Sequence, residues 1–143
     1  MLTLFSYRGS DSPIVIYSRE NSSGTYVYFK DNVLKGKDFS PRAQTLQGTA
    51  AVVNAVSKDP NGIGYGGAAY AKGIRFAGVK KDAKTPASTP SLESVRGGQY
   101  PITRYLYLYT RTASKGTAKS FIDFALSPAG QQLVQQVGYF PVK

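Results

Sequence analysis

The stretch that decides the fold is PIVIYSRENSSGTYVYFK, from Pro13 to Lys30. Its first five residues, Pro13–Tyr17, are apolar and mostly β-branched, which indicates a buried strand. A polar corner follows, and Ser23-Gly24-Thr25 then begins a pattern in which Tyr26 and Phe29 recur at helical spacing. The stretch therefore predicts a strand, a corner and a helix, with the helix ending at Gly36 because glycine commonly terminates helices.

Strands and helices alternate along the rest of the chain. Before the corner, the sequence predicts a turn at Gly9–Ser12; after it, a helix from Gly48-Thr49 to Asp59 and strands over residues 62–67 and 74–79. An exposed loop over 84–90 and a short helix over 91–95 follow. The C-terminal helices are predicted over about 114–138, the last with Ser127 as N-cap and Pro128 at N1. This alternation predicts an α/β fold with a mainly parallel sheet flanked by helices.

Residues 100–111, YPITRYLYLYTR, show strict period-two alternation. That pattern predicts a strand. Its tyrosines fit ordinary sheet packing, since tyrosine is a favoured strand residue. With Arg104 and Arg111 beside them they also fit a surface on which nucleic-acid bases stack.

Composition limits the possible functions. At 143 residues the chain fits one domain, and its net charge of +10 favours anionic partners. It has no cysteine and no histidine, and its eight acidic residues are scattered singly, so we expect no metal site, no cofactor and no enzyme. Residues 1–8 lack the pattern of a secretory signal, and the basic run from Lys72 to Lys84 fits a solvated surface better than a nucleic-acid site.

The corner itself has the features of an anion site. A helix N-terminus presents backbone N–H groups without intrahelical partners and the positive end of the helix dipole. Gly24 allows close approach, Ser23 and Thr25 add hydroxyl donors, and Arg19 can add a charge-assisted, bidentate bond. Taken alone, the same residues also fit an ordinary serine N-cap beside an incidental arginine.

The ordered set of motifs resembles the second half of the periplasmic phosphate-binding proteins that serve phosphate ABC importers. The motifs are SRENSSGT, GTAAVVNAVSKDPNGIGYGG, GGQYPITRYLYLYT and FALSPAGQQLVQQVGYFPV, and the resemblance covers about Pro13 to Val142. The family has an R-x-x-x-S-G-T element that donates to phosphate. The resemblance therefore implies phosphate-binding roles for Arg19, Ser23, Gly24 and Thr25.

The resemblance also implies an organisation. It predicts one lobe of a type II periplasmic-binding-protein fold, with a ligand lobe over about residues 13–103. Residues 104–143 would form a crossover strand and helices that return toward an N-terminal lobe absent from this sequence. Phe121, Phe124, Leu133 and Val137 would then lack part of their burial partner, so we expect self-association, element swapping, repacking of the tail or a longer parent protein.

By resemblance, the expected partners are phosphate or a similar oxyanion, a membrane permease, and the missing lobe or a second copy. The expected location is the periplasm or cell exterior. Two other functions stay open on the sequence: a nucleic-acid or polyanion binding module, which the charge of +10 permits, and an assembly domain that has lost transport.

Overall fold

The structure is a computed structural model that describes residues 2–6, 11–111, 113 and 115–142, and it divides into two units, Met1–Thr103 and Arg104–Lys143. The predicted turn residues Gly9 and Ser10 and the predicted helix start at Ser114 lie outside the described residues.

One five-stranded sheet organises the first unit. Its strands are β1 (Leu2–Ser6), β2 (Val15–Arg19), β3 (Gln44–Leu46), β4 (Gly62–Gly67) and β5 (Arg75–Phe76). They lie in the order β3-β2-β4-β1-β5. β2 pairs in parallel with β3 and β4, whereas β1 pairs antiparallel with β4 and β5. Four strands thus share one direction, which confirms the predicted α/β fold with a mainly parallel sheet.

Three helices belong to this unit: α1 (Gly24–Asn32), α2 (Thr49–Lys58) and α3 (Leu92–Arg96). A short 3-10 helix spans Ala68–Tyr70. α2 packs on the sheet through Val52 and Val56, one helical turn apart, and both side chains are fully buried. Burial of each valine stabilises the unit by about 1.5–3 kcal/mol.

A second core cluster lies around Tyr100 and Ile102. Partly buried side chains from three segments pack against these two residues: Tyr28, Val33, Val79 and Val95. The Tyr28 hydroxyl also donates to the Thr103 carbonyl at 2.6 Å. The residues just before the end of the unit are therefore anchored to α1.

The strand predicted for residues 100–111 is wrong. The structure assigns no strand to residues 101–110, and the sheet of the described residues does not include them. Tyr105 and Tyr109 are 65% and 89% exposed. A strand requires a neighbouring strand for its backbone hydrogen bonds, and alternating side chains do not supply one.

The second unit contains α4 (Gly116–Leu126) and α5 (Pro128–Gln136). As predicted, Ser127 caps α5: its hydroxyl accepts a hydrogen bond from the Gly130 N–H at 3.2 Å, and Pro128 occupies the first helical turn. The apolar side chains singled out in the sequence are exposed here, Phe121 by 61%, Phe124 by 48%, Leu133 by 51% and Val137 by 65%.

Candidate functional site

The corner between β2 and α1 is closed by short-range backbone bonds. β2 ends at Arg19, and the Ser23 N–H turns back to donate to the Glu20 carbonyl at 3.0 Å. The Ser23 hydroxyl then accepts from the Thr25 N–H at 3.1 Å and caps α1. This bond uses a lone pair of the serine oxygen and not its hydrogen, so the hydroxyl keeps its donor.

Exposure differs sharply among the three residues at the helix start. Ser23 and Thr25 are buried, whereas Gly24 is exposed. Gly24 has no side chain to cover its own backbone. Of these three residues, Gly24 is therefore the one that solvent reaches.

Arg19 is a nearly buried arginine whose guanidinium donates three hydrogen bonds to neighbouring side chains. Its Nε donates to Glu20 Oε2 at 3.0 Å, and its Nη2 donates to Glu20 Oε1 at 2.9 Å. Its Nη1 donates to Thr49 Oγ1 at 2.8 Å, which places the guanidinium beside the start of α2. Arg19 is only 9% exposed, so these bonds offset much of the cost of desolvating its charge.

The Glu20 carboxylate is an anion that the protein itself supplies to the donors of this corner. It receives the bidentate bonds of Arg19, and its Oε2 also accepts from the Gly48 N–H at 3.2 Å, just before α2. The hydrogen bond from Arg19 is the main reason that the pKa of Glu20 falls from 4.5 to about 2. A guanidinium and a backbone amide at a helix start thus already hold one oxyanion here.

The structure arranges the four predicted residues in two groups. Ser23 and Thr25 are joined through the α1 cap with Gly24 between them, whereas the Arg19 guanidinium is bonded to Glu20 and Thr49. Their role as phosphate ligands stays a prediction.

Sequence reasoning missed four residues that contact Arg19 or Glu20: Glu20, Gly48, Thr49 and Tyr65. Gly48-Thr49 is recognisable as a helix start. Nothing in its local pattern indicates that it meets Arg19, because the two segments are 30 residues apart in the chain.

The described part of the chain has neither a metal-binding cluster nor a membrane-spanning helix. No group of three or more His, Cys, Asp or Glu side chains there could hold a metal ion. None of its helices combines the length and apolar character needed to cross a bilayer.

Comparisons with known proteins agree with the fold. The PBP superfamily domain matches residues 5–129 of the chain. The phosphate-binding protein PstS of Pseudomonas aeruginosa is 33% identical over 135 residues, a match that covers 91% of this chain and 42% of the relative. The chain therefore spans less than half the length of that relative.

Two solved structures are similar as well. A substrate-binding protein with bound phosphate from Clostridium perfringens superposes with a TM-score of 0.80 at 26% identity, covering 99% of this chain and 68% of the other. A phosphate-binding protein of a phosphate ABC transporter from Streptococcus pneumoniae gives a TM-score of 0.66 at 27% identity, covering 92% and 52%. These findings confirm the resemblance to phosphate-binding proteins of ABC importers.

Proposed function

The chain belongs to the PBP superfamily, and on that premise we propose that it binds inorganic phosphate, or a similar tetrahedral oxyanion, at the corner between β2 and α1. The relatives named above are phosphate-binding proteins. We propose binding without catalysis, because the corner offers hydrogen-bond donors and one ion-paired carboxylate but no general base near neutral pH. The whole importer function is likewise a proposal, since the chain spans 42% of the P. aeruginosa relative.

The observation that carries the proposal is the way the corner holds the Glu20 carboxylate. Two guanidinium N–H groups and the Gly48 amide converge on its two oxygens. Carboxylate and phosphate oxygens have the same preference for planar, bidentate arginine donors. An oxyanion that replaced the Glu20 carboxylate would meet the same donors, whereas one beside it would also meet that carboxylate's negative charge.

The proposed ligands are Arg19, Ser23, Gly24 and Thr25. An anion would approach over the exposed Gly24 peptide, where the α1 dipole favours negative charge. The Ser23 and Thr25 hydroxyls would add donors, and Arg19 would add guanidinium N–H groups beyond those bonded to Glu20 and Thr49. Donors on one side only leave the anion partly hydrated, so we expect a millimolar dissociation constant. Such binding is about 4 kcal/mol weaker than micromolar binding.

The proposed setting is a phosphate ABC importer in the cell envelope, with the periplasm or cell exterior as location and a membrane permease as partner. In that setting the remaining donors would come from a second lobe or a second copy, and closure around the anion would form the state that the permease recognises. The similarity to substrate-binding proteins of phosphate importers supports this setting.

Calorimetric titration with phosphate and with sulfate tests the proposal. Arg19→Ala should weaken phosphate binding by at least about tenfold, because a hydrogen bond to a charged group contributes about 1.5–3 kcal/mol. Arg42→Ala is the matched control: it removes the same charge from an exposed position. Its effect should stay within about twofold, since an exposed charge far from a ligand is largely screened.

Two outcomes would contradict the proposal. One is the absence of any saturable response to phosphate in the wild-type chain. The other is an equal loss in both arginine variants, which would indicate general attraction by net charge. A steep fall in affinity with salt would then favour polyanion binding, because several counterions are released from a polyanion.

A further inference from the structure

We propose that Tyr65 is a positioning residue for the anion site, which it serves by fixing the end of β2 and the start of α1 relative to each other. This inference rests on the proposed function. Tyr65 lies in the glycine-rich strand β4, is 3% exposed, and touches both halves of the corner.

The hydroxyl of Tyr65 holds the backbone at Arg19. The Arg19 N–H donates to Tyr65 Oη at 3.3 Å, and Tyr65 Oη lies 2.9 Å from Ser18 Oγ. Ser18 Oγ in turn donates to the Arg19 carbonyl at 3.4 Å. One assignment of hydrogens satisfies all three contacts: Arg19 donates to the tyrosine, the tyrosine to the serine, and the serine back to Arg19.

This cycle of three hydrogen bonds replaces sheet pairing at the point where the β2–β4 ladder ends. The ladder between β2 and β4 ends at Tyr17, opposite Gly64, although β2 continues to Arg19. Beyond Tyr17, β2 pairs only with β3, through Ser18 and Arg19. A buried backbone N–H without an acceptor is costly, and the Tyr65 hydroxyl supplies that acceptor.

The ring of Tyr65 contacts the other half of the corner. It stacks on Phe29 of α1 with centroids 4.2 Å apart and planes inclined by 19°. It also stacks on Phe39 at 5.5 Å. Aromatic pairs of this kind stabilise beyond the area they bury. The hydroxyl therefore fixes Arg19, the ring fixes α1, and a rigid side chain joins the two.

The ionisation state of Tyr65 suits this role. Burial raises the pKa of the Tyr65 phenol above its ordinary value of 10.0. The phenol therefore keeps its proton at neutral pH, and its O–H remains available to Ser18.

Tyr65→Phe separates the two functions, because it keeps the stacked ring and removes only the hydroxyl. Tyr17→Phe is the matched control. It removes another tyrosine hydroxyl from the same sheet, one that donates to Asp59 Oδ2 at 2.9 Å, away from the Arg19 backbone. Ser18→Ala provides a second test, since it opens the same ring of hydrogen bonds without altering the aromatic stack.

The first readout needs no ligand. Hydrogen exchange of the Arg19 amide, followed by NMR, should accelerate by about tenfold in Tyr65→Phe relative to Tyr17→Phe, since this amide loses its only acceptor on the β4 side. The side-chain Nε–H signal of Arg19 should shift in Tyr65→Phe and Ser18→Ala but not in Tyr17→Phe. A purely structural role of Tyr65 would move thermal stability without this local difference.

The second readout is phosphate affinity. The dissociation constant should rise about fivefold in Tyr65→Phe and stay within twofold in Tyr17→Phe, at matched losses of thermal stability. Unchanged Arg19 exchange together with unchanged phosphate affinity in Tyr65→Phe would overturn the positioning role alone. Failure of the wild-type chain to bind phosphate would overturn the proposed function, and the positioning role of Tyr65 with it.

Discussion

Replacing Gly64 with alanine should destabilise the first unit, because this glycine lies where α2 rests on the sheet. A Cβ atom built at Gly64 would be 2.6 Å from Val52 Cγ1, 3.2 Å from Val56 Cγ2 and 3.3 Å from the Tyr17 carbonyl oxygen. Both valines are completely buried, and core side chains are close-packed. The added methyl group therefore has to displace α2 or force a valine out of its rotamer.

The magnitude follows from the overlap. Carbon atoms pack at about 3.5–4.0 Å, so the contact with Val52 is too short by about 1 Å. Overpacking a core in this way costs about 1–3 kcal/mol. Alanine regains about 0.5–1 kcal/mol through lower backbone entropy in the unfolded chain. The expected net loss is about 0–2.5 kcal/mol, with α2 and its N-terminal residue Thr49 displaced from Arg19.

Urea denaturation followed by circular dichroism measures this loss. Gly67→Ala is the control on the same strand, because its Cβ would meet the Tyr70 ring at 3.6 Å, an ordinary contact. The control should be neutral or more stable by up to about 1 kcal/mol, because it gains the same backbone entropy without the overlap. The losses from Gly64→Ala and Val52→Ala should be less than additive in the double variant, as expected for residues in direct contact. A Gly64→Ala variant as stable as Gly67→Ala would refute the packing argument.

Three further variants test other parts of the account. In wild type the Arg19 hydrogen bond lowers the pKa of Glu20 to about 2, so the stability that this carboxylate adds is complete above about pH 4.5 and is lost as the pH falls toward 2. In urea denaturation, Glu20→Gln should therefore lose less stability than wild type between about pH 7 and pH 3. An equal loss of stability in the two proteins would contradict this. Phe29→Ala removes the ring stacked on Tyr65 and should cost about 3–5 kcal/mol by the same assay, whereas a loss below about 1 kcal/mol would show that the stack contributes little. Ser127→Ala removes the cap of α5 and should cost about 1 kcal/mol, seen as reduced helicity, while Ser120→Ala within α4 serves as the control.

The parts of the fold that local chemistry encodes were predictable from the sequence. The β2–α1 corner, the start of α2 at Gly48-Thr49 and the Ser127 cap all depend on residues within a few positions of one another. The capped helix starts and the strands Val15–Arg19 and Gly62–Gly67 therefore agree with the sequence patterns, within about two residues at each end.

The long-range arrangement was not predictable in this way. β1 lies between β4 and β5 and runs against both, a placement that depends on segments about 60 residues apart. The alternation over residues 100–111 indicates which side chains share a face, but it carries no information on whether a partner strand exists. The contacts of Arg19 with Thr49 and Tyr65 are equally non-local, so the sequence identified the arginine and missed what holds it.

The most direct measurement is a residue-resolved map of backbone amide shifts during a phosphate titration. We expect saturating shifts that are largest at Gly24 and its neighbours in the corner, and that disappear in Arg19→Ala but persist in Arg42→Ala. Shifts centred on the basic run from Lys72 to Lys84, or none at phosphate concentrations on the order of tens of millimolar, would contradict it.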